Sequence, residues 1–302
     1  MKKYTLTIVT LLMLLCSQAL MACNVCGCGV ANYHYGILPQ FQKSFIGLRY
    51  RYRSYVSQLE EGHAAPYAYE TFQSAELWGR FYPARRVQAF VFIPYNFNNR
   101  EEDDKSTSLT GLGDIVISAN YNMLNSYDST NSVLKHNLLI GGGVKLPTGK
   151  FRAIEDGLTV NQNFQLGTGS VDLLFSMIYT LRYKKAGFNT EFTYNFNTTN
   201  KDDYHFGNTS RTGLSVFYVL NAGALTVMPN AGASLETFKN NKQFGQEFDD
   251  TGGWAALCNA GIESYFRNIA FGVSYTHPGK QELFSGKVTS NDRFATHITV
   301  MF

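Results

Sequence analysis

A cluster of cysteines near the N-terminus is the group of residues best suited to chemistry in this sequence. Cys23, Cys26 and Cys28 lie close together, and His34 follows them. Thiolates and an imidazole at this spacing can converge on a soft ion such as Cu(I) or Zn(II), although three sulfurs are one short of a closed zinc site. Two other interpretations stay open, which are a lipid on Cys23 and a Cys26–Cys28 disulfide in an oxidising compartment.

A second group is a stripe of charge on two predicted neighbouring strands. Three arginines share one face of the first strand, and the second strand can direct two glutamates and another arginine toward the same interior. These residues are Arg49, Arg51, Arg53, Glu70, Glu76 and Arg80. The stripe can favour anionic solutes in a pore, or it can brace a narrow barrel with internal ion pairs. The other side chains predicted to line the interior are Asp114, Asn120, Glu191, Asn195 and His297.

The histidines do not indicate an enzyme. A hydrolase of the lipase type needs a serine that is activated by a histidine. None of the histidines falls in a recognisable Ser–His motif; they are His34, His63, His136, His205, His277 and His297. We therefore predict no catalytic residues and no cofactor, apart from a Cu or Zn ion if the cysteine cluster binds metal.

The elements that position these residues are predicted to be β-strands. Segments of about a dozen residues alternate between apolar and polar side chains; in one of them Phe188 and Phe192 share a face opposite Glu191 and Asn195. We predict twelve strands, near 44–57, 68–82, 86–97, 111–123, 133–147, 169–183, 186–198, 208–221, 223–238, 252–266, 268–278 and 292–302. Every second connection is longer, with loops at 58–67, 98–110, 148–168, 199–207, 239–251 and 279–291. Short turns on one side and long loops on the other are typical of a closed antiparallel barrel in a bacterial outer membrane.

Composition and the N-terminus agree with that placement. Charged residues make up 16% of the chain, below the roughly 25% of an average soluble domain, and no apolar run beyond the N-terminus is long enough for a membrane helix. Lys2, Lys3 and the apolar stretch 6–15 predict an export signal that ends at Ala22. The predicted organisation is a signal peptide (1–22), a cysteine-rich periplasmic or plug segment (23–43) and an outer-membrane barrel (44–302).

Three short motifs resemble a known family. They are GLGD at 111–114, GVKLPTG at 143–149 and LGTGSVD at 166–172. In this order they resemble the outer-membrane proteins of the phenol meta-pathway transporter type, which are distantly similar to FadL-type channels for hydrophobic compounds. The cysteine-rich start, followed by YGILPQF at 35–41, looks like a variant found in Bacteroidetes-type bacteria. The resemblance implies an outer-membrane barrel that passes small, often apolar molecules.

The fold class predicted from these observations is all-β, a single twelve-stranded antiparallel transmembrane β-barrel. Its predicted partners are outer-membrane lipid and a small-molecule solute. Nucleic acid is not a predicted partner, because the net charge is only +3 and the basic residues are scattered. The predicted function is passage of a small molecule, with hydrophobic molecules among the candidates. The alternative is a metal-handling or structural outer-membrane protein that uses the cysteine cluster.

Overall fold

The computed structural model describes most of the predicted barrel. The described residues are 43–58, 67–102, 105–126, 133–155, 158–159 and 161–302. The predicted signal peptide, the cysteine cluster and His34 lie outside these ranges, so the metal, lipid and disulfide interpretations stay predictions.

Twelve antiparallel strands form a closed wall. They are β1 (Phe45–Gln58), β2 (Tyr67–Ala84), β3 (Val87–Glu102), β4 (Lys105–Leu112 and Ile115–Asn125), β5 (Leu134–Leu146), β6 (Asp172–Tyr183), β7 (Ala186–Phe196), β8 (Thr209–Tyr218 and Leu220–Ala222), β9 (Leu225–Phe238), β10 (Gly253–Phe266), β11 (Ile269–Leu283) and β12 (Val288–Ser290 and Arg293–Met301). Each strand pairs with the next, and β12 pairs back onto β1, from Phe45 opposite Met301 to Tyr52 opposite Phe294. The predicted all-β, twelve-stranded barrel is confirmed.

The alternating sequence sends polar and apolar side chains to opposite faces of the wall. In β1, Leu48 is exposed on the outer face and Arg49 is buried on the inner face, and in β11 Phe271 is exposed and Ala270 is buried. A continuous outer band of exposed apolar side chains is unfavourable in water but is the surface that acyl chains solvate. Among the described residues, no helix is long and apolar enough to cross a membrane.

The two ends of the barrel differ. Tight turns join β2 to β3, β6 to β7, β8 to β9 and β10 to β11, and Lys184, Gly223 and Arg267 adopt positive φ in three of them. We call this side the turn end, which is periplasmic in outer-membrane barrels, and the opposite side the loop end. The long connections β5–β6, β7–β8 and β9–β10 lie at the loop end, whereas the connection from Asn125 to Leu134, between β4 and β5, lies at the turn end.

The predicted loop at 98–110 is wrong. The ladder of β3 and β4 continues from Tyr95 opposite Leu112 to Glu102 opposite Lys105, so the two strands extend as a hairpin at the loop end. Polar side chains on both faces suggested a loop, but they form cross-strand contacts, such as the bond from Ser108 Oγ to Asn99 Oδ1 at 2.8 Å. A strand that leaves the membrane needs no apolar face, and this removes the signal by which its neighbours were recognised.

Closure of the barrel depends on a close approach at Gly47, and this generates a prediction. A Cβ atom at Gly47 would lie 2.3 Å from the Ile298 carbonyl oxygen and 2.4 Å from Thr299 Cγ2. We expect Gly47→Ala to lower the free energy of unfolding by about 1–3 kcal/mol, because the β1–β12 seam must move apart. Urea unfolding of the folded barrel in lipid, followed by tryptophan emission, measures the change.

The matched control is Gly279→Ala in β11, where the nearest atom to a new Cβ is the Ala256 carbonyl oxygen at 3.4 Å. Equal unfolding midpoints for the two variants would contradict the importance of close packing at the seam.

Candidate functional site

The lumen is the concave surface on which the predicted polar residues converge. The eleven predicted lumen residues all lie on inward-facing positions. Each is buried or half-buried: Arg49, Arg51, Arg53, Glu70, Glu76, Arg80, Asp114, Asn120, Glu191, Asn195 and His297. The structure thus joins residues that are up to 248 positions apart, as with Arg49 opposite His297.

A central cavity of about 190 Å³ occupies the middle of the lumen. One wall is the arginine stripe of β1. The facing wall consists of β7 to β12 and carries a second set of charges, which are Glu191, Arg211, Glu236, Glu263 and Arg293. Charges in this number, inside a wall surrounded by lipid, require partners because burial of an isolated ion is costly.

The arginine stripe meets this requirement through Glu76. Arg49 Nε donates to Glu76 Oε1 at 2.8 Å, and Arg51 Nη2 donates to Oε2 at 2.9 Å. The Arg49 guanidinium also lies over the rings of Trp78 and Phe92, at 4.9 and 5.4 Å from their centroids. Arg49 is therefore held at the boundary between the charged cavity and an aromatic region.

The facing wall has its own charge cluster, in which sequence analysis identified Glu191 and His297 but missed Arg211, Glu236, Glu263 and Arg293. Arg293 Nη1 donates to both oxygens of Glu236 at 2.9 and 3.1 Å, and Arg211 lies 3.6 Å from Glu236 and from Glu191. His297 Nε2 lies 3.2 Å from Glu263. Alternation along the strands could have identified them, because Arg211 and Arg293 occupy positions whose side chains point into the lumen.

The other predicted residues make more local contacts. Ser176 Oγ donates to Asn120 Oδ1 at 2.6 Å, and Asn195 Nδ2 donates to Thr209 Oγ1 at 3.0 Å. Glu70 lies 3.6 Å from Arg100. At the turn end, Arg80 donates to the Lys43 carbonyl oxygen at 2.8 Å, so it holds the chain as it enters β1.

An aromatic floor lies between the central cavity and the turn end. It consists of Phe45, Trp78, Phe90 and Phe92, with buried aliphatic side chains around it. Phe45 and Trp78 meet edge to face at 4.6 Å, Trp78 stacks with Phe92 at 6.3 Å, and Phe92 stacks with Phe90 at 6.2 Å. Most of the lumen at this level is apolar, although the Arg80 guanidinium lies 5.0 Å from the centroid of the Phe45 ring.

The three sequence motifs meet in one buried cluster, which we call the motif cluster. Lys145 lies between the carboxylates of Asp114 and Asp172 and forms an ion pair with each. Asp114 also accepts hydrogen bonds from the backbone N–H of Gly149 at 3.0 Å and of Thr168 at 2.9 Å. The cluster therefore ties both ends of the connection between β5 and β6 to the inner wall.

The described part of that connection, residues 147–155, 158–159 and 161–171, folds inward at Phe164, and we call it the inward loop. Phe164 is fully buried and lies edge to face with Phe72 at 5.8 Å. Asn98 Nδ2 donates to the Phe164 carbonyl oxygen at 3.2 Å. Together with Leu283 and Phe284 from the opposite side, Phe164 forms an apolar cluster that narrows the loop end. A smaller cavity of about 60 Å³ lies between the inward loop and the arginine stripe.

Exposed ion pairs join the outer connections. Arg152 of the inward loop pairs with Asp202, and this hydrogen bond holds the pKa of Asp202 below its usual range. Lys287 donates to Asp250 at 3.1 Å and likewise lowers the pKa of that carboxyl. Because a lowered pKa keeps each carboxylate ionised, both pairs persist at neutral pH and are lost only as the pH falls through those low values.

No group of three or more His, Cys, Asp or Glu side chains suited to a metal ion occurs in the part of the chain that the structure describes. The arrangement of the lumen instead provides a charged chamber between two apolar constrictions.

The motif cluster generates a prediction about the inward loop. Asp114→Ala leaves the Gly149 and Thr168 amides without their acceptor and removes one of the two carboxylates beside Lys145. Loss of one partner of a buried ion pair costs about 3–5 kcal/mol. Cleavage of the folded barrel by trypsin at Lys150 or Arg152 should therefore become about tenfold faster or more, since proteolysis follows the population of the open loop.

The control is Asp250→Ala, which breaks an exposed ion pair at the loop end without touching the inward loop. Cleavage rates at Lys150 and Arg152 that are the same in both variants would show that the motif cluster does not hold the loop.

Comparison with known proteins identifies a matching family and solved structures with a similar fold. A family model described as the MetA-pathway of phenol degradation matches residues 67–277. An outer membrane channel of the COG4313 group from Pseudomonas putida F1 superimposes with a TM-score of 0.62 at 14% identity, over 86% of this chain and 96% of that one. The beta domain of the Bordetella autotransporter BrkA gives a TM-score of 0.54 at 12% identity, over 86% and 99%. The comparison with curated proteins gave no match. The predicted location in the bacterial outer membrane is confirmed.

Proposed function

Because the chain belongs to the family described as the MetA-pathway of phenol degradation, we propose that this outer-membrane barrel is a channel for small molecules that have an apolar part. The observation that carries the proposal is the order in which apolar and charged regions follow one another along the lumen. An apolar constriction at Phe164 and Phe284 is followed by the charged central cavity and then by the aromatic floor.

The two constrictions favour apolar solutes for a physical reason. A narrow apolar passage tends to exclude water, so an ion or a fully polar solute must lose hydration to cross it. A solute with an apolar face can pack against side chains such as Phe92 and Trp78, and these new contacts replace the contacts that the side chains make with each other. The lost hydration is small for such a solute, and the barrier is correspondingly lower.

Two comparisons support the proposal. The family description refers to phenol degradation, and phenols are small molecules with an apolar ring. The Pseudomonas putida protein with the similar fold is described as an outer membrane channel. The proposal involves no catalytic step and no cofactor, since passage needs only a pathway that can open.

Uptake by liposomes tests the proposed function. The full-length barrel is reconstituted, and swelling is recorded in phenylalanine and in glutamine, which are both zwitterions of similar size that cross lipid slowly. We expect faster swelling in phenylalanine, because its ring lowers the cost of passing the apolar constrictions. Phe92→Ser, which makes the aromatic floor polar, should reduce the difference. Absence of swelling in both solutes, or equal rates, would refute the proposal.

A second prediction concerns charge selectivity. Glu76 is bonded to Arg49 and Arg51 on adjacent inward positions. If both arginines become alanine, the carboxylate loses these partners and the central cavity loses two positive charges. The reversal potential in a salt gradient across a planar bilayer should shift toward cation selectivity.

The control is the double variant Arg85→Ala with Arg86→Ala, which removes two exposed arginines from a periplasmic turn. An unchanged reversal potential for the Arg49 and Arg51 variant would leave these residues with a bracing role only.

A further inference from the structure

We propose that the central cavity is a binding site for a small anion that carries one planar apolar ring, and that Arg51 and Trp78 recognise it. This inference rests on the channel function proposed above and names the class of solute. It is carried by the size of the cavity, by two buried donors in its wall and by its balance of charge.

The cavity has the size of one ring. Its volume is about 190 Å³, and an apolar cavity of about 150 Å³ in another protein holds benzene. A single ring with a small substituent therefore fits, whereas two fused rings with substituents do not. Gly213 and Ser215 on the wall of β8 contribute to this space, because neither carries a side chain large enough to fill it.

Two buried donors in the wall lack an acceptor within the described residues. They are the Nε–H of Arg51 and the indole N–H of Trp78, and both residues line the cavity. Arg51 engages Glu76 through Nη2, which leaves Nε for another group. A buried donor without an acceptor is unfavourable, so a ligand that brings an acceptor oxygen relieves a cost already present in the empty site.

The balance of charge favours an anionic acceptor. Five arginines line the cavity, namely Arg49, Arg51, Arg53, Arg211 and Arg293, and three glutamates face them, namely Glu191, Glu236 and Glu263. Glu76, directly behind the stripe, raises the number of carboxylates to four and still leaves one more arginine than glutamate. His297 is paired with Glu263 at 3.2 Å. A carboxylate on the ligand completes the balance, and an ammonium group would oppose it.

The same wall supplies a surface for the ring. Phe45 and Trp78 line the floor of the cavity beside the arginine stripe. A ligand whose carboxylate reaches Arg51 can lay its ring on these aromatic side chains, since offset and edge-to-face contacts between rings are favourable.

Tryptophan emission provides a direct test, because the chain has two tryptophans, Trp78 and Trp254. Trp254 occupies an outward position of β10, next to the buried inward Ala255, so Trp254→Phe leaves a reporter in the cavity only. The full-length variant in nanodiscs is titrated with benzoate, benzyl alcohol and benzylamine at neutral pH. We expect a saturable change with benzoate and at least tenfold weaker binding of the neutral and cationic analogues.

Arg51→Gln in the same background should weaken benzoate binding at least tenfold, whereas Arg85→Gln, at an exposed turn, should not change it. Equal affinities for benzoate and benzyl alcohol would overturn the inference, and so would equal affinities of the two glutamine variants. If Arg51→Gln does not fold, the comparison of the three ligands on the unaltered lumen decides. Preferential flux of phenylalanine without benzoate binding would refute this site alone, whereas benzoate binding without flux would refute the channel.

Discussion

The pairing of β1 with β12 is the constraint on which the rest of the structure depends. An unpaired strand edge within lipid leaves backbone N–H and C=O groups without partners, at a cost of several kcal/mol per group. The continuous register from Phe45 opposite Met301 to Tyr52 opposite Phe294 removes both edges at once. It also brings Arg49 opposite His297. The ladder that closes the wall therefore also places lumen residues from the first and last strands next to each other.

Closure in turn explains why the charges around the central cavity are paired in groups. A narrow lumen surrounded by lipid offers little water, so each charge needs a partner within reach of a side chain. Glu76 forms ion pairs with the arginine stripe of β1, and Glu236 forms ion pairs with Arg211 and Arg293 on the facing wall. The two groups meet at the β1–β12 seam, where Arg53 of the stripe interacts with Glu236 and Arg293, and members of both groups line the central cavity. The bracing of each wall therefore leaves room for a solute, and the structural and selective roles of the arginines do not exclude one another.

Prediction from sequence succeeded where a local pattern encodes the structure. Alternation along β7 and β11 identified membrane strands and their inner faces, because one face must meet lipid and the other must not. The extended hairpin of β3 and β4 was missed because its strands leave the membrane and lose that alternation. The cluster of Arg211, Glu236 and Arg293 was also missed, since it depends on which strands face each other across the lumen. The inward loop gave no local signal, because Phe164 is held by Phe72 and Asn98, both from distant strands.

The motif cluster connects the family resemblance to the function of the lumen. The motifs at 111–114, 143–149 and 166–172 lie far apart in sequence, but β4, β5 and β6 are consecutive neighbours in the wall, so Asp114, Lys145 and Asp172 meet at one level. A lysine between two carboxylates is stable there only while all three are present, because removal of one leaves an uncompensated buried charge. Asp114 adds the Gly149 and Thr168 amides to the same group and so fixes the direction in which the inward loop leaves the wall. The position of Phe164, and with it the width of the outer constriction, follows from this anchor. The motifs thus set the outer constriction through the loop that they hold, without lining the central cavity themselves.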